Sequence, residues 1–364
     1  MSRVAIVGCG VISGVYAHTI AELGFLELAA CVDGIPERAE QLAGQYGARA
    51  RTLDDVAGDA EIDAIVNLTP PQIHADVTRA ALTVGKPVFS EKPLGVDFAE
   101  GSGLVQLAAE HGIRLGCAPD TFLGAGLQTA RAVIDRGDIG EPLAANAFML
   151  QAGPEWWHPN PGLFYEHGAG PLFDMGPYYF TTLVQLLGPA RRVTGAARIS
   201  RAQRPILSEP QRGELIDVEV PTHVSAAIEF ASGPIATLVT SFDAQASRYR
   251  NIEVYGTEAT LSVPDPNTFG GPVAVRRLAD QAWTEVDLLP AHLPQQRGIG
   301  LADMMWAQRS GRPHRASDAL ALHVLELMTA TLTAAEEGRR IDLTTTCARA
   351  EPLPVGLPAN TFDD

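Results

Sequence analysis

The 364-residue chain is longer than one ordinary core and suits two domains, and its 46% hydrophobic residues suffice to bury both. Lys and Arg total 27 against 43 Asp and Glu, and the resulting net charge of −16 repels nucleic acid and anionic membranes at long range. The same field opposes an anionic dinucleotide, so any cofactor site must rest on local groups such as backbone N–H donors; a neutral substrate meets no such opposition.

The first apolar strand begins at Arg3, which leaves no room for a secretory signal, and no uninterrupted apolar run is expected to span a bilayer. Cys9, Cys31, Cys117 and Cys347 are scattered, with no Cys-x-x-Cys pair and no His cluster, so no metal site is expected. They read as reduced, buried small hydrophobes of a cytoplasmic protein.

From Arg3 to about Pro119, apolar runs alternate with helical patterns, the mark of a doubly wound parallel sheet with helices on both faces. The predicted strands are Val4 to Val7, Leu26 to Val32, Ala64 to Leu68, Pro87 to Phe89 and Arg114 to Cys117. The first helix should bury Ile12, Val15, Tyr16, Thr19, Ile20 and Leu23; the helix from Pro71 should bury Ile73, Val77, Ala81 and Val84. Residues 1–121 are thus expected to form an N-terminal Rossmann domain. Residues 122–364 are expected to form a C-terminal α+β domain for substrate binding and oligomerisation. It should open with a helix to about Gly137, a loop rich in Pro, Gly and Trp (Gly153 to Gly170) and a helix to Leu187. Alternation across Val224, Ala226, Ile228 and Phe230, then Ile235 to Phe242 and Ile252 to Val263, predicts an open, mostly antiparallel sheet. A last helix, capped by Ser317, should bury Leu320, Val324, Leu327 and Met328, and the final dozen residues read as a mobile tail.

Gly8-Cys9-Gly10-Val11-Ile12-Ser13-Gly14 directly follows the first strand and opens the first helix, the context that the dinucleotide fingerprint requires. Gly8 permits the tight turn, and Gly10, Val11, Ile12 and Ser13 bring backbone to a pyrophosphate at the helix N-terminus; Ser13 stands where the third fingerprint glycine is usual. Asp33 ends the second strand about twenty residues on, where a carboxylate accepts from ribose hydroxyls and repels the extra phosphate of NADP. NAD is therefore the expected cofactor. A cap for the segment opening at Pro36 is the structural alternative for Asp33, and Arg38 keeps NADP as a minority alternative.

Three further segments carry chemistry: Asn67-Leu68-Thr69-Pro70-Pro71-Gln72-Ile73-His74, Ser90-Glu91-Lys92-Pro93, and Gly168-Ala169-Gly170-Pro171-Leu172-Phe173-Asp174-Met175-Gly176-Pro177-Tyr178. The first two sit at C-terminal strand ends, where α/β folds bind ligands. Thr69, Pro70, His74, Glu91 and Lys92 are accordingly expected on the cofactor side, with a satisfied structural histidine as the alternative for His74. Lys92, between Glu91 and Pro93 at a strand end, is poorly explained by packing, and a solvated surface lysine is its structural alternative. Asp174 and Tyr178 are four apart and share a face if the segment is helical, although Pro177 suits only a first turn. An aromatic core stripe is the bland reading of Tyr178-Tyr179-Phe180. The loop Glu155-Trp156-Trp157-His158-Pro159-Asn160-Pro161 mixes flat apolar and hydrogen-bonding groups, as a sugar ring requires, so His158, Asn160 and Tyr165 join Lys92, Asp174 and Tyr178 as expected substrate contacts; core packing or a subunit interface explains the tryptophans as well.

This set resembles the glucose-fructose oxidoreductase, inositol dehydrogenase and rhizopine-catabolism (Gfo/Idh/MocA) family over essentially the whole chain. The resemblance implies that Lys92, in Glu-Lys-Pro, lies beside the nicotinamide and the reacting hydroxyl. The family's later motif, Gly-Gly-Gly…Asp-x-Gly-x-His, matches at Asp174; Ala169 replaces its middle glycine, and Tyr178 stands where the acid/base histidine is commonest. Lys92, Asp174 and Tyr178 are then the catalytic residues. The implied activity is NAD-dependent hydride transfer at a hydroxyl carbon of a sugar, polyol or cyclitol. Two alternatives stay open: a glycosidase that uses NAD transiently, and a non-catalytic NAD-binding regulator. The small-molecule substrate is the expected partner, together with a second copy of the chain in a dimer or tetramer paired through an exposed sheet face; neither nucleic acid nor membrane is expected.

Overall fold

A computed structural model describes residues 1–249 and 251–363 of the chain. The chain divides into two compact units that are not simple linear halves. One comprises Met1–Ala125, Leu289–Leu322 and Ala350–Asp364; the other comprises Gly126–Leu288 and His323–Arg349.

In the first unit, strands β1 (Ser2–Val7), β2 (Leu26–Val32), β3 (Arg49–Ala50), β4 (Ala64–Asn67), β5 (Val88–Ser90) and β6 (Leu115–Cys117) form one sheet in the order β3-β2-β1-β4-β5-β6. Every pairing is parallel. The helices α1 (Ser13–Glu22), α2 (Pro36–Tyr46), α3 (Leu53–Gly58), α4 (Pro71–Thr83) and α5 (Phe98–His111) supply the crossovers. Strand order reverses between β1 and β4, and at such a switch point the C-terminal strand ends open a place for ligands. The turns after β1, β4 and β5 carry Gly8, Thr69 and Glu91-Lys92 there.

The face expected to be buried on α4 is corrected. Ile73 and Val84 are exposed, whereas His74, Ala75, Thr78, Ala81 and Leu82 face inward. Asn67 is the reason: its amide donates to the His74 carbonyl at 2.8 Å and to the Thr78 hydroxyl at 3.0 Å, so polar side chains are satisfied on the inner face. On α1 the prediction holds for Tyr16, Thr19 and Ile20, while Val15 lies in solvent.

The second unit contains α6 (Ala125–Asp135), α7 (Gly170–Asp174) and α8 (Gly176–Leu187). Its strands are β7 (Pro142–Leu150), β8 (Ala190–Arg198), β9 (Gln203–Pro205), β10 (Leu215–Asp217), β11 (His223–Phe230), β12 (Ile235–Ser241), β13 (Ile252–Gly256), β14 (Ala259–Val263), β15 (Val273–Arg277), β16 (Thr284–Val286) and β17 (Ile341–Asp342). β9 and β10 pair alone; the rest form a mixed sheet in the order β16-β15-β14-β13-β7-β12-β11-β8-β17. It is antiparallel except for β7 with β12, which run parallel. All twelve residues of α8 are buried. Asp174 and Tyr178 do not share one helix: α7 ends at Asp174, and α8 starts two residues later with Pro177 in its first turn, where a proline is tolerated.

The chain then returns to the first unit with α9 (Ile299–Ser310) and the start of α10 (Asp318–Glu337). Asp120 fastens α9, because its Oδ2 accepts from the amides of Gly298 at 2.8 Å and Gly300 at 2.9 Å. The expected mobile tail is instead packed. Phe362 is fully buried with its ring 6.2 Å from Phe25 and 6.0 Å from Trp306, and Asp363 pairs with Arg312 at 2.6 Å. By length and, at a mean hydropathy of 1.2, by composition α10 could cross a bilayer, but His323 and Glu326 interrupt its apolar residues. Its apolar face, formed by Leu320, Val324, Leu327 and Met328, is buried as foreseen, which is the pattern of a core helix.

Candidate functional site

Gly8 makes the turn out of β1 at φ +96°, and a Cβ there would stand 2.6 Å from the Leu68 carbonyl carbon, so the β1 and β4 ends approach through this glycine. Gly10 differs: nothing lies within 4 Å of a Cβ built on it, and Val11 is 99% exposed. Ser13, at the third fingerprint position, donates its hydroxyl to the Gly10 carbonyl at 2.7 Å and closes the turn that a glycine would leave open. Helix α1 begins with no side-chain cap and no acidic residue in its first turn. Such an end offers backbone donors and positive potential to an anion.

Asp33 serves the loop as well as any ligand. Its Oδ2 accepts from the Cys9 amide at 2.7 Å and its Oδ1 from the Ile35 amide at 2.8 Å. A carboxylate has about four acceptor positions, so capacity for ribose hydroxyls remains beside these two bonds. The helix after it is not capped by Asp33, because Ile35 occupies that place. The uncapped helix end, the open Gly10 and the half-buried Asp33 together fit a dinucleotide.

The turns after β4 and β5 are tied to each other. Thr69 donates its hydroxyl to Asn67 Oδ1 at 2.6 Å, and Pro70 is exposed. His74, 1% exposed, sets one ring nitrogen 3.0 Å from the Pro93 carbonyl and the other against the Thr69 carbonyl. Burial pushes its pKa down, against the opposing pull of the two carbonyls and Glu91. The expected direct cofactor contact is therefore corrected for His74: its ring is an internal clamp. Glu91, expected on the cofactor side, is also enclosed, accepting from the Tyr16 hydroxyl at 2.7 Å and from the Lys92 amide at 3.0 Å. Lys92 itself is half-buried, and its peptide bond to Pro93 is cis. Lys86 and Lys92 are the two lysines of the whole sequence. Lys86 is used structurally, donating to the carbonyls of Asp59 and Ile62 at 2.5 Å and 2.7 Å. In a chain that meets its other cationic needs with arginine, a lysine at the end of β5 is a specific choice.

The second unit carries the remaining expected residues. Asp174 is half-buried at the end of α7; Tyr178, Tyr179 and Phe180 are all buried at the start of α8. His158 stacks edge-on with Trp157 and Phe164, with centroids 5.2 Å and 4.9 Å away, and accepts from the Asn160 amide at 3.0 Å. Trp157 is 52% exposed and Asn160 is exposed, so this aromatic group presents a surface. Tyr165 does not. It is fully buried, its hydroxyl donates to Glu155 and its ring lies 5.4 Å from the Arg204 guanidinium, which corrects its expected role as a substrate contact. Burial and the neighbouring Glu155 push its pKa up.

That network was missed in the sequence. Arg204, 4% exposed, donates to Glu155 Oε1 at 2.6 Å and 2.8 Å and to Asp243 Oδ1 at 2.6 Å, and Thr222 donates to Asp243 Oδ2 at 2.8 Å. Burial raises the Asp243 pKa, but hydrogen bonds from Ser200, Thr222 and Arg204 outweigh it and hold the carboxyl below its ordinary value. Charged residues far apart in sequence leave no periodic signal, so pattern reading had nothing to find. Among the described residues no group of His, Cys, Asp and Glu could hold a metal, and the four cysteines are buried and free.

Comparisons with known proteins agree with this geometry. Residues 2–118 match the model of the oxidoreductase family with an NAD-binding Rossmann fold, and residues 127–262 match that of the GFO/IDH/MocA C-terminal domain. Inositol 2-dehydrogenase of Rhizobium meliloti (strain 1021) is 27% identical over 79% of this chain and 81% of its own. The scyllo-inositol 2-dehydrogenase (NAD(+)) of Bacillus subtilis (strain 168) is 26% identical over 72% and 73%. A levoglucosan dehydrogenase solved with NADH and L-sorbose superposes with a TM-score of 0.81 at 20% identity, covering 95% of this chain and 99% of that one, a likeness of fold.

Proposed function

The chain belongs to the Gfo/Idh/MocA oxidoreductase family, and from that premise we propose that it is an NAD-dependent dehydrogenase acting on a hydroxyl-bearing carbon of a sugar, polyol or cyclitol. The observation that carries the reading is the Lys92 turn at the C-terminal end of β5, built around one of only two lysines and held from both sides by Glu91 and His74. The inositol dehydrogenases named above support the substrate class.

When bound, NAD supplies the acceptor for the hydride that leaves the carbon. Gly10, Val11, Ile12 and Ser13 present the start of α1 to its pyrophosphate, and Asp33 accepts from its ribose. Thr69 and Pro70 border the same strand ends. Lys92 donates to the reacting hydroxyl and favours the negative charge that develops on its oxygen. Tyr178, as the phenolate that the Lys92 cation favours, takes the hydroxyl proton and Asp174 orients it; His158 and Asn160 meet the rest of the sugar, beside the exposed face of Trp157. A homo-oligomer, dimer or tetramer, and a cytoplasmic setting complete the proposal.

The test is to incubate purified protein with NAD and a panel of sugars, polyols and cyclitols while following reduced cofactor. Stoichiometric NADH with at least one of them is expected; glycoside cleavage without net NADH, or no turnover with any, overturns the reading. Tyr178→Phe should lower kcat by about 10² to 10⁴ while leaving NADH affinity nearly unchanged. Near-normal turnover in that variant would return Tyr178 to the aromatic core.

A further inference from the structure

Tyr16 is buried completely in α1, one turn past the start of the helix, and its ring packs against Phe89 with centroids 6.4 Å apart. Phenylalanine would satisfy that packing. The hydroxyl instead donates to Glu91 Oε1 at 2.7 Å, and Glu91 Oε2 accepts from the Lys92 amide at 3.0 Å. Glu91 is 8% exposed, and its own amide donates to the Asn67 carbonyl at 2.8 Å. Burial, Glu91 and Asp120 push the Tyr16 pKa well up, so the phenol stays a proton donor.

A buried hydroxyl and carboxylate bring little net stability over apolar groups of the same shape, because desolvation offsets their bond. What they supply is direction. With each oxygen of Glu91 accepting from a different donor, the carboxylate holds one orientation and the Lys92 amide is fixed by it. Remove the phenol, and Oε1 becomes a buried acceptor lacking its donor; the carboxylate then gains by turning away, which loosens the Lys92 turn.

We propose that Tyr16 is a positioning residue that sets Lys92 through Glu91, so that the helix whose N-terminus takes the dinucleotide phosphates also fixes the turn carrying the working lysine. This rests on the role given to Lys92 above.

Having two lysines makes the test direct. Protein labelled with ¹⁵N-lysine shows two backbone amide signals, and Lys86, whose amide donates to the Ala81 carbonyl at 3.0 Å, is the internal reference. In Tyr16→Phe the Lys92 signal should move and its amide should exchange at least about tenfold faster, with Lys86 unchanged. With a polyol that the wild type oxidises, kcat should fall by about tenfold or more while the Kd for NADH stays within about twofold. Glu91→Met keeps the length of the side chain but offers no acceptor to either donor, so it should speed Lys92 amide exchange as well and decides the matter should Tyr16→Phe not fold. Unchanged Lys92 amide exchange, in folded Tyr16→Phe or Glu91→Met, overturns the proposal. Lys92→Met separates the two levels: normal turnover there overturns the role of Lys92 itself, whereas lost turnover beside unchanged Lys92 amide exchange in Tyr16→Phe overturns only the part given to Tyr16.

Discussion

Gly10 in the first unit and Gly153 in the second both sit in glycine-rich loops, yet they face opposite surroundings. A Cβ on Gly10 would meet nothing within 4 Å, while one on Gly153 would lie 2.1 Å from the Tyr165 hydroxyl and 2.2 Å from Glu155 Oε2. The first glycine keeps a space open at an uncapped helix end; the second makes room for side chains the protein itself provides. Glu155 and Tyr165 of the 153–170 loop are satisfied internally, by Arg204 and by each other. The start of α1, by contrast, has no side-chain cap of its own. A glycine-rich loop is thus a sign of a ligand only when its donors lack partners of their own.

The comparison breaks most severely at Arg204. Arg204→Met strands Glu155 and Asp243 in a low-dielectric site and should cost about 3–5 kcal/mol, read as a lower midpoint in urea unfolding. A loss below about 1 kcal/mol, the level of an exposed pair, would show that the loop does not depend on the network.

Asp120 sharpens the contrast, as a buried carboxylate whose Oδ1 has no hydrogen-bond partner among the described residues. Burial first, and Glu91 with it, push its pKa up to about 6 despite the amides of Gly298 and Gly300. A folded value above the unfolded one means a contribution present at acid pH that is lost as pH rises through about 6. Relative to Asp120→Asn, which does not titrate, the wild type should therefore gain about 2 kcal/mol between pH 7 and pH 4. Parallel stability curves over that window would show that Asp120 keeps an ordinary acidity.

Gly10→Val fills the open space without touching protein. Its melting temperature should match the wild type while NADH binds at least about a hundredfold more weakly, roughly 2.7 kcal/mol or more by calorimetry. Normal NADH affinity in the folded variant would mean that the space beside Gly10 is not the pyrophosphate's.

Legibility followed physical regularity. β2 was visible as an apolar run buried on both faces, β11, β12 and α10 because one apolar face repeats along each of them, and the glycine turn because strand, turn and helix occur together. β7 was not foreseen: its half-buried run of Ala, Asn and Phe carries a weak alternation, although it sits in the middle of the sheet. The α4 face was misjudged because His74 and Thr78 are buried by virtue of hydrogen bonds, which hydrophobic pattern does not record. Lys92 stood out by its strand-end position; Tyr16 read only as core, since nothing in the order of residues tells that its hydroxyl meets a glutamate 75 positions away. Tyr165 was placed with the ligand for the same reason, as the partner that buries it, Arg204, lies in a distant strand.

The packed end of the chain bears on how the molecule is made. Phe362 closes a cluster with Phe25 and Trp306, and the α9 segment closes over Asp120, so the first unit is assembled from pieces translated early and late. Ribosomes deliver roughly 5–20 residues per second, and domains tend to complete themselves as they emerge. Here the nascent Met1–Ala125 segment must wait, its sheet lacking those covers, while the whole Gly126–Leu288 stretch is synthesised. The second unit thus has most of its chain synthesised before the first can complete its packing.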